Sequence, residues 1–206
     1  MVNDERKVTS FPLGHAPLRL AMLGMVEGNG HPYSWSIIIN GRYNSSALAK
    51  CPYPAIRDYI SKQPDSTIGI SGAEVTHVWT DNPLDADLVA DVAMISNVAE
   101  HAEDVIGHVD AVLIATDKGE EHVERCRPFI EAGIPVFVDK PLCNNKTDLA
   151  IFSDWIKRGK PLISSSAMRF SKEFTPYHLA TDELGKLRYI NFTMAKSWET
   201  YGIHAL

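Results

Sequence analysis

The stretch from residue 109 to residue 142 constrains the fold most strongly. It contains an apolar strand, VDAVLIAT (109–116), a helical stretch, EEHVERCRPFIEAG (120–133), and a second apolar strand, IPVFVDKPL (134–142). A strand that is apolar almost throughout is typical of a sheet buried on both faces. Two such strands joined by a helix form a βαβ crossover, so this segment predicts a parallel sheet covered by helices.

The same alternation continues on both sides of this segment. Further strands are predicted at 18–25, 73–81, 91–96 and 161–170. Helices are predicted at 36–51 (interrupted by Gly41), at 52–64, at 97–107 with Asn97 as N-cap, and at 146–160 with Asn145 or Thr147 near its start. We therefore expect an arm at 1–15 and one α/β domain with a doubly wound parallel sheet at 16–167. Residues 168–206 begin a second unit, with a helix at 171–184 and a strand at 186–198.

Composition narrows the class of partner. The 206 residues are 45% hydrophobic and 22% charged, with a net charge of −6 and no dense block of lysine and arginine. This argues against binding to nucleic acid or to an anionic membrane, and favours small molecules or other subunits as partners.

Targeting and redox signals are sparse. No apolar run approaches the roughly 18–20 residues that a membrane span needs, and the polar N-terminus has no signal-peptide core. The three cysteines lack a CxxC spacing, so reduced thiols, a cytoplasmic location and no metal site are expected.

A glycine-rich turn follows the first strand. Residues 24–31 read GMVEGNGH and contain Gly24, Gly28, Asn29, Gly30 and His31. A dinucleotide site uses glycines here because a Cβ atom would block the approach of backbone N–H groups to a pyrophosphate. The usual spacing is G-x-G-x-x-G, whereas here it is G-x-x-x-G-x-G, so the turn must differ in shape. A glycine-rich loop in an α/β domain that binds no nucleotide is the alternative.

Asp81 closes the strand at 73–81 and is the candidate acid for the adenosine ribose. It lies about fifty residues after the turn, beyond the usual spacing of about twenty, and an insertion holding the helix at 52–64 would explain the distance. The alternative is a capping aspartate before Asn82 and Pro83. No arginine stands beside it in WTDNP, which favours NAD over NADP.

With these elements in order, the chain resembles the glucose-fructose oxidoreductase/inositol dehydrogenase/MocA (Gfo/Idh/MocA) family over about residues 18–206. The resemblance rests on the strand ending in Ala-Thr, the helix with histidine in its first turn, the EAG stop, and the strand end Asp139-Lys140-Pro141, where Glu-Lys-Pro is usual. AMRF (167–170) and YGIHAL (201–206) are similar to later family segments. The resemblance implies a Rossmann fold followed by an α+β substrate domain.

The resemblance also implies a cofactor pocket. Its expected lining comprises the residues of the glycine turn, Asp81 and five residues at the next strand ends: Thr116, Asp117, His122, Asp139 and Lys140. NAD is the expected cofactor, with NADP as the alternative. The remaining histidines (His15, His77, His101, His108 and His178) are interpreted as structural.

Two residues are expected to carry catalysis. Lys140 stands at the carboxyl end of a strand, where open parallel sheets bind their ligands, and the resemblance implies that it hydrogen-bonds the reacting substrate oxygen. His204 would take up the hydroxyl proton, since imidazole titrates near neutrality. The alternatives are a solvated lysine and a surface or core histidine.

Three features depart from the family pattern. The glycine turn is rearranged, Thr200 stands where the family often has an aspartate four residues before the histidine, and the chain ends at Leu206. Family members normally continue through a large, mostly antiparallel sheet that covers the nicotinamide and forms the dimer face. We therefore expect a shortened substrate domain here, and a homo-oligomer for a longer chain.

Two functions remain open at this point. The first is an NAD(P)-dependent oxidoreductase acting on a sugar, cyclitol or related polyol. The second is a non-catalytic nucleotide-binding sensor or regulator of the same fold, because fold does not fix function. The resemblance implies that the residues recognising the sugar lie largely beyond Leu206, so we do not expect the sequence to identify the sugar.

Overall fold

A six-stranded parallel sheet organises the chain in the computed structural model, which describes residues 16–176, 181–195 and 197–205. The strands lie in the order β3-β2-β1-β4-β5-β6. They are β1 (Leu18–Leu23), β2 (Ala73–Trp79), β3 (Asn97–Val98), β4 (Ala111–Ile114), β5 (Val136–Val138) and β6 (Leu162–Ser164). This order confirms the predicted doubly wound fold, with the reversal of strand order between β1 and β4.

Helices cover both faces of this sheet. They are α1 (His31–Asn40), α2 (Ser45–Leu48), α3 (Pro54–Lys62), α4 (Pro83–Ala93), α5 (His122–Glu131) and α6 (Lys146–Lys157), with a short α7 (Trp198–Tyr201) near the end of the described chain. Within the described residues, five 3-10 turns lie at Asp65–Thr67, Ala102–Val105, Ala167–Phe170, Asp182–Leu184 and Gly202–Ala205. Asn145 caps α6 by accepting a hydrogen bond from the Asp148 N–H, as one of the two predicted caps.

Alternation along β1 divides the core into two layers. Met22 points to one face and packs with residues of α1 to α4, including Tyr33, Ile37 and Val89. Its neighbours Ala21 and Leu23 point to the other face, where α5 and α6 supply the packing. A strand buried on both faces must be apolar at every position, which is why the central strands could be recognised in the sequence.

The predicted strand at 91–96 is wrong. Residues 91–93 form the last turn of α4, and Met94 ends that helix in the left-handed conformation with φ 55°. The helix begins after Asn82, whose side chain accepts a hydrogen bond from the Leu84 N–H, and Pro83 occupies its first turn. An apolar run that looks like a short strand is therefore the buried face of a helix.

The predicted helix at 97–107 is also wrong. Asn97 is not an N-cap but begins β3, and its side chain donates to the Thr76 carbonyl at 2.9 Å. A separate 3-10 turn follows, in which the His101 N–H donates to Asp104. Pairing with the edge of β2 therefore outcompetes the helical tendency of this segment.

Two further predictions need correction. The helix predicted from residue 36 begins at His31, because Pro32 fits its first turn. The strand predicted at 161–170 covers only β6 and is followed by a 3-10 turn.

The last predicted elements fare differently. Within the described residues of 186–198 no strand forms, and Tyr189 and Ile190 are exposed. A strand exists only through pairing of its backbone with a neighbour, and the sheet ends at β6. The arm at 1–15, part of the helix predicted at 171–184, His15 and His178 lie outside the described residues, and the predicted domain boundary stays a prediction.

Candidate cofactor-binding and active site

Most of the residues expected at the site lie along one edge of the sheet. The carboxyl ends of the strands meet there, so β1 leads into Gly24, β2 into Asp81, β4 into Thr116 and β5 into Asp139. Backbone hydrogen bonds between neighbouring strands continue past the strand ends at this edge. The Gly24 N–H donates to the Trp79 carbonyl at 2.8 Å, and the Asp139 N–H donates to the Ile114 carbonyl at 2.9 Å. The crevice beside the reversal of strand order is where open α/β sheets bind ligands.

The three glycines of the turn differ in backbone conformation and in the space around them. Gly24 and Gly28 both have φ 84°, a left-handed conformation that favours glycine. A Cβ on Gly24 would lie 2.8 Å from Thr116 Cγ2, whereas nothing lies within 4 Å of one on Gly28. A Cβ on Gly30 would lie 2.5 Å from Ile56 Cδ1. Protein side chains therefore crowd Gly24 and Gly30, whereas Gly28 faces open space that a cofactor could approach.

Asn29 and Asp139 form the buried base of the crevice, with exposed fractions of 4% and 2%. The Asn29 amide donates to the Ala115 carbonyl at 3.2 Å and to Asp139 Oδ2 at 3.4 Å, and its oxygen accepts from the His31 N–H at 2.9 Å. Asp139 Oδ1 accepts from the Lys140 N–H at 2.7 Å. These bonds fix the glycine turn to the end of β5.

His31 joins this cluster from the first turn of α1. Its Nδ1 lies 2.6 Å from Asp139 Oδ2, and its ring stacks on Trp35 with centroids 4.7 Å apart. Trp35 in turn packs edge-on against Phe137 of β5. The imidazole is therefore held in one orientation, with about a third of its side chain exposed.

Asp81 has two partners. Its Oδ2 accepts from the Met25 N–H at 3.0 Å, and its Oδ1 accepts from Arg125 Nη2 at 2.7 Å. Arg125 also donates to Glu121. Burial opposes the charge of Arg125, but the bonds from Asp81 and Glu121 outweigh it and raise its pKa. An arginine thus stands beside Asp81 after all, from α5 and not from the adjacent sequence.

His122 is fully buried at the start of α5. Its Nε2 lies 2.9 Å from the Thr116 carbonyl and 3.1 Å from Thr116 Oγ1, and its Nδ1 lies 3.1 Å from the Leu142 carbonyl. The ring therefore ties the end of β4 to the segment after β5. Asp117, the next residue after Thr116, is half-buried.

Lys140 and His204 line a common cavity of about 1110 Å³. Lys140 is 7% exposed, and its Nζ lies 4.9 Å from the ring centroid of Tyr201, a cation–π distance. His204 Nδ1 lies 2.6 Å from Ser166 Oγ. Burial and the positive charge of Lys140 lower the pKa of His204, so its neutral form is favoured near neutrality.

Sequence reasoning missed Ser166 and Arg125. Thr200, which stands at the position of the family acid, bonds Ser197, and the hydroxyl beside His204 comes instead from Ser166. Its signal was the SSS run at the end of β6, a strand end like the others. For Arg125 the signal was its place one turn after His122 on the same helix.

Membrane-spanning helices and metal clusters are both missing from the described part of the chain. In the described ranges no helix is long and apolar enough to cross a bilayer. Among those same residues, no group of three His, Cys, Asp or Glu side chains could hold a metal ion.

A parallel sheet with reversed strand order, a glycine turn after β1 and an acid after β2 defines a dinucleotide-binding Rossmann domain. The chain belongs to the Gfo/Idh/MocA family, described as an oxidoreductase family with an NAD-binding Rossmann fold, whose sequence model matches residues 54–160, more than half of the chain. This confirms the resemblance and supports NAD as the cofactor.

Two curated relatives are inositol dehydrogenases. Inositol 2-dehydrogenase 3 of Saccharopolyspora erythraea is 41% identical over 105 residues, which cover 48% of this chain and 30% of the relative. Inositol 2-dehydrogenase of Rhodococcus erythropolis is 35% identical over 123 residues, which cover 57% of this chain and 35% of the relative. The chain thus spans about a third of the length of these relatives.

Solved structures share the fold. The scyllo-inositol dehydrogenase of Lactobacillus casei with bound NAD(H) and scyllo-inositol has a TM-score of 0.54 at 16% identity, over 81% of this chain and 41% of that one. A probable dehydrogenase from Thermotoga maritima has a TM-score of 0.56 at 17% identity, over 81% of this chain and 41% of that one.

Proposed function

We propose that this protein is an NAD-dependent dehydrogenase that oxidises a hydroxyl group of a cyclitol or related polyol. The observation that carries this proposal is the pairing of Lys140 and His204 on one cavity beside the dinucleotide-binding edge. Oxidation of an alcohol calls for a base that takes the hydroxyl proton and a group that stabilises the negative charge on the oxygen, and a neutral imidazole and an ammonium group can fill these roles.

The residues of the sheet edge fit NAD. The open side of Gly28 would admit a pyrophosphate near the start of α1. Asp81, with 38% of its side chain exposed, would accept hydrogen bonds from a ribose diol. Thr116, Asp117 and the pair His31–Asp139 would line the nicotinamide half of a bound cofactor. Bound NAD supplies the hydride acceptor, and the protein positions and polarises the substrate.

Lys140 holds the reacting oxygen in this proposal. Its backbone is fixed by Asp139 and its side chain lies over Tyr201, so the ammonium group is placed before substrate arrives. A preorganised positive charge stabilises the negative charge that develops on the oxygen as its proton leaves.

His204 accepts that proton. The pKa of His204 is lowered, which favours the neutral imidazole at physiological pH, and Ser166 Oγ lies 2.6 Å from its Nδ1. Ser166 Oγ donates to Nδ1 or accepts from it according to the tautomer, and accepting from a protonated Nδ1 leaves Nε2 free.

The substrate class is supported by the relatives. Both curated relatives described above are named for inositol, and one structural neighbour holds scyllo-inositol. A cyclitol presents several neighbouring secondary hydroxyl groups, of which one would meet Lys140 and His204.

Calorimetric titration with NAD, followed by assays of NADH formation with myo-inositol, scyllo-inositol and open-chain polyols, tests the proposal. We expect micromolar to millimolar binding of NAD and turnover that depends on Lys140. Absence of NAD binding would contradict the cofactor assignment, and NAD binding without turnover of any of these polyols would contradict the dehydrogenase.

A non-catalytic sensor of the same fold is the second candidate. The observation in its favour is that the partner of His204 is the Ser166 hydroxyl, which does not stabilise an imidazolium as a carboxylate would. Such a sensor would bind NAD and a polyol together but form no NADH.

A further inference from the structure

Arg125 carries a charge at the cofactor-binding edge that the proposed reaction does not use. Its Nη2 donates to Asp81 Oδ1 and to Glu121 Oε2, both at 2.7 Å, and its Nε donates to Glu121 Oε2 at 3.0 Å. Two carboxylates thus share one guanidinium, whose side chain is only 19% exposed.

The guanidinium lies against the glycine turn. The position of a Cβ on Gly24 is 3.2 Å from Arg125 Nη1, and Asp81 is itself fixed to the turn through the Met25 N–H. This places the arginine beside the acid that contacts the adenosine ribose in a dinucleotide site. A 2′-phosphate differs from a ribose hydroxyl at that end of the cofactor.

We propose that Arg125 determines the choice between NAD and NADP. Its guanidinium can bind a 2′-phosphate, but its ion pairs with Asp81 and Glu121 prevent it from doing so. This inference rests on the proposed function, because it assumes that the crevice binds a nicotinamide dinucleotide. While Asp81 is charged, a 2′-phosphate meets two carboxylates and an arginine that is already paired. NAD, whose ribose carries a diol, only adds hydrogen bonds to Asp81.

Loss of the Asp81 charge would reverse this balance. In an Asp81→Asn variant the amide oxygen would still accept from the Met25 N–H, so the turn would keep its anchor, but the side chain would no longer form an ion pair with the guanidinium. Arg125 would retain Glu121, which lies 3.7 Å from Lys118 and so has a second cation nearby. The planar fork of arginine suits a phosphate, and a charge-assisted bond of this kind is strong.

The experiment measures Kd for NAD and for NADP with the full chain and four variants: Asp81→Asn, Arg125→Leu, the double variant Asp81→Asn/Arg125→Leu, and Asp81→Asn/Arg127→Leu. Arg127 is the matched control, because it lies on the same helix but bonds Glu124 and packs on Trp155. Circular dichroism and thermal melting verify that each variant folds.

We expect the wild-type chain to prefer NAD. Asp81→Asn should tighten NADP binding by roughly 10- to 100-fold, the range of one charged hydrogen bond. The gain should disappear with Arg125→Leu and persist with Arg127→Leu. Arg125→Leu alone should not improve NADP binding.

Two outcomes separate this inference from the proposed function. If wild type binds NAD and the NADP gain is the same with and without Arg125, the inference is wrong and the proposed function stands. If wild type binds neither dinucleotide, the proposed cofactor site itself fails and the inference fails with it.

Discussion

The two left-handed glycines of the turn allow stability and ligand access to be separated. Gly24 and Gly28 share φ 84°, so alanine at either position carries the same backbone cost of about 1–2 kcal/mol. They differ in surroundings. At Gly24 the new methyl would overlap the buried Thr116 side chain at 2.8 Å, and at Gly28 it would meet nothing within 4 Å.

The expected losses of stability follow from that difference. Overpacking adds about 1–3 kcal/mol, so Gly24→Ala should lower the free energy of unfolding by about 2–5 kcal/mol, and Gly28→Ala by about 1–2 kcal/mol. NAD affinity should fall more in Gly28→Ala than in Gly24→Ala, because the Gly28 methyl projects into the open side of the crevice and the Gly24 methyl projects into protein.

Urea denaturation of both variants, with calorimetric titration of NAD, is the assay. Equal destabilisation of the two variants would refute the packing argument. A Gly28→Ala variant that binds NAD as tightly as wild type would refute the assignment of the open side of the turn to the cofactor.

Three further results are expected. In the direction of alcohol oxidation, kcat/KM should fall as the pH drops through the pKa of His204, which lies below the ordinary 6.5. In His204→Asn, a pH profile of kcat/KM should lose this fall at low pH. In Lys140→Met, kcat should drop by roughly 10²–10³, and the fall should occur at a higher pH, because one cause of the lowered pKa of His204 is gone. Ser166→Ala should reduce kcat roughly 2- to 10-fold, because one neutral hydrogen bond to His204 is lost, and should leave NAD binding unaffected. Ser166→Thr keeps the hydroxyl group and should restore kcat. An unchanged kcat of Ser166→Ala in steady-state assays would contradict the role of Ser166. Asp139→Asn should lower the free energy of unfolding by about 1–3 kcal/mol, because the buried carboxylate accepts hydrogen bonds from Asn29, His31 and the Lys140 backbone N–H. The control Asp154→Asn removes an exposed ion pair with Arg158 and should change this free energy by less than about 1 kcal/mol. Equal changes for the two variants in urea denaturation would contradict a stabilising role of the Asp139 cluster.

Much of the fold could be predicted because its signals are local. Strands buried on both faces require continuous apolar runs, and β4 and β5 were recognised on that ground. The end of α4 was mistaken for a strand because Val92 and Ala93 are apolar on a helix face, and only the Asn82–Pro83 start of that helix distinguishes the two. Strand β3 depends on pairing with β2, which no local pattern specifies.

The sequence also allowed several candidate residues to be placed at one edge of the sheet. Strand ends are visible in a sequence, and parallel strands bring their carboxyl ends together, so Asp81, Thr116 and Asp139 could be grouped. The bond between Arg125 and Asp81 could not, because it joins residues 44 apart through the packing of a helix against the turn. Ser166 reaches His204 across 38 residues for the same reason.

The candidate site groups lie at the carboxyl ends of the strands, so the loops at the amino ends can change in length and sequence. Loops such as those at Gly133 and Gly159 enter β5 and β6 from that side, and nothing crowds a Cβ at either glycine. Insertions, affinity tags or new chain termini placed there would leave the crevice untouched. Selection can therefore alter the length and sequence of these loops without a trade-off against the chemistry on the other side of the sheet.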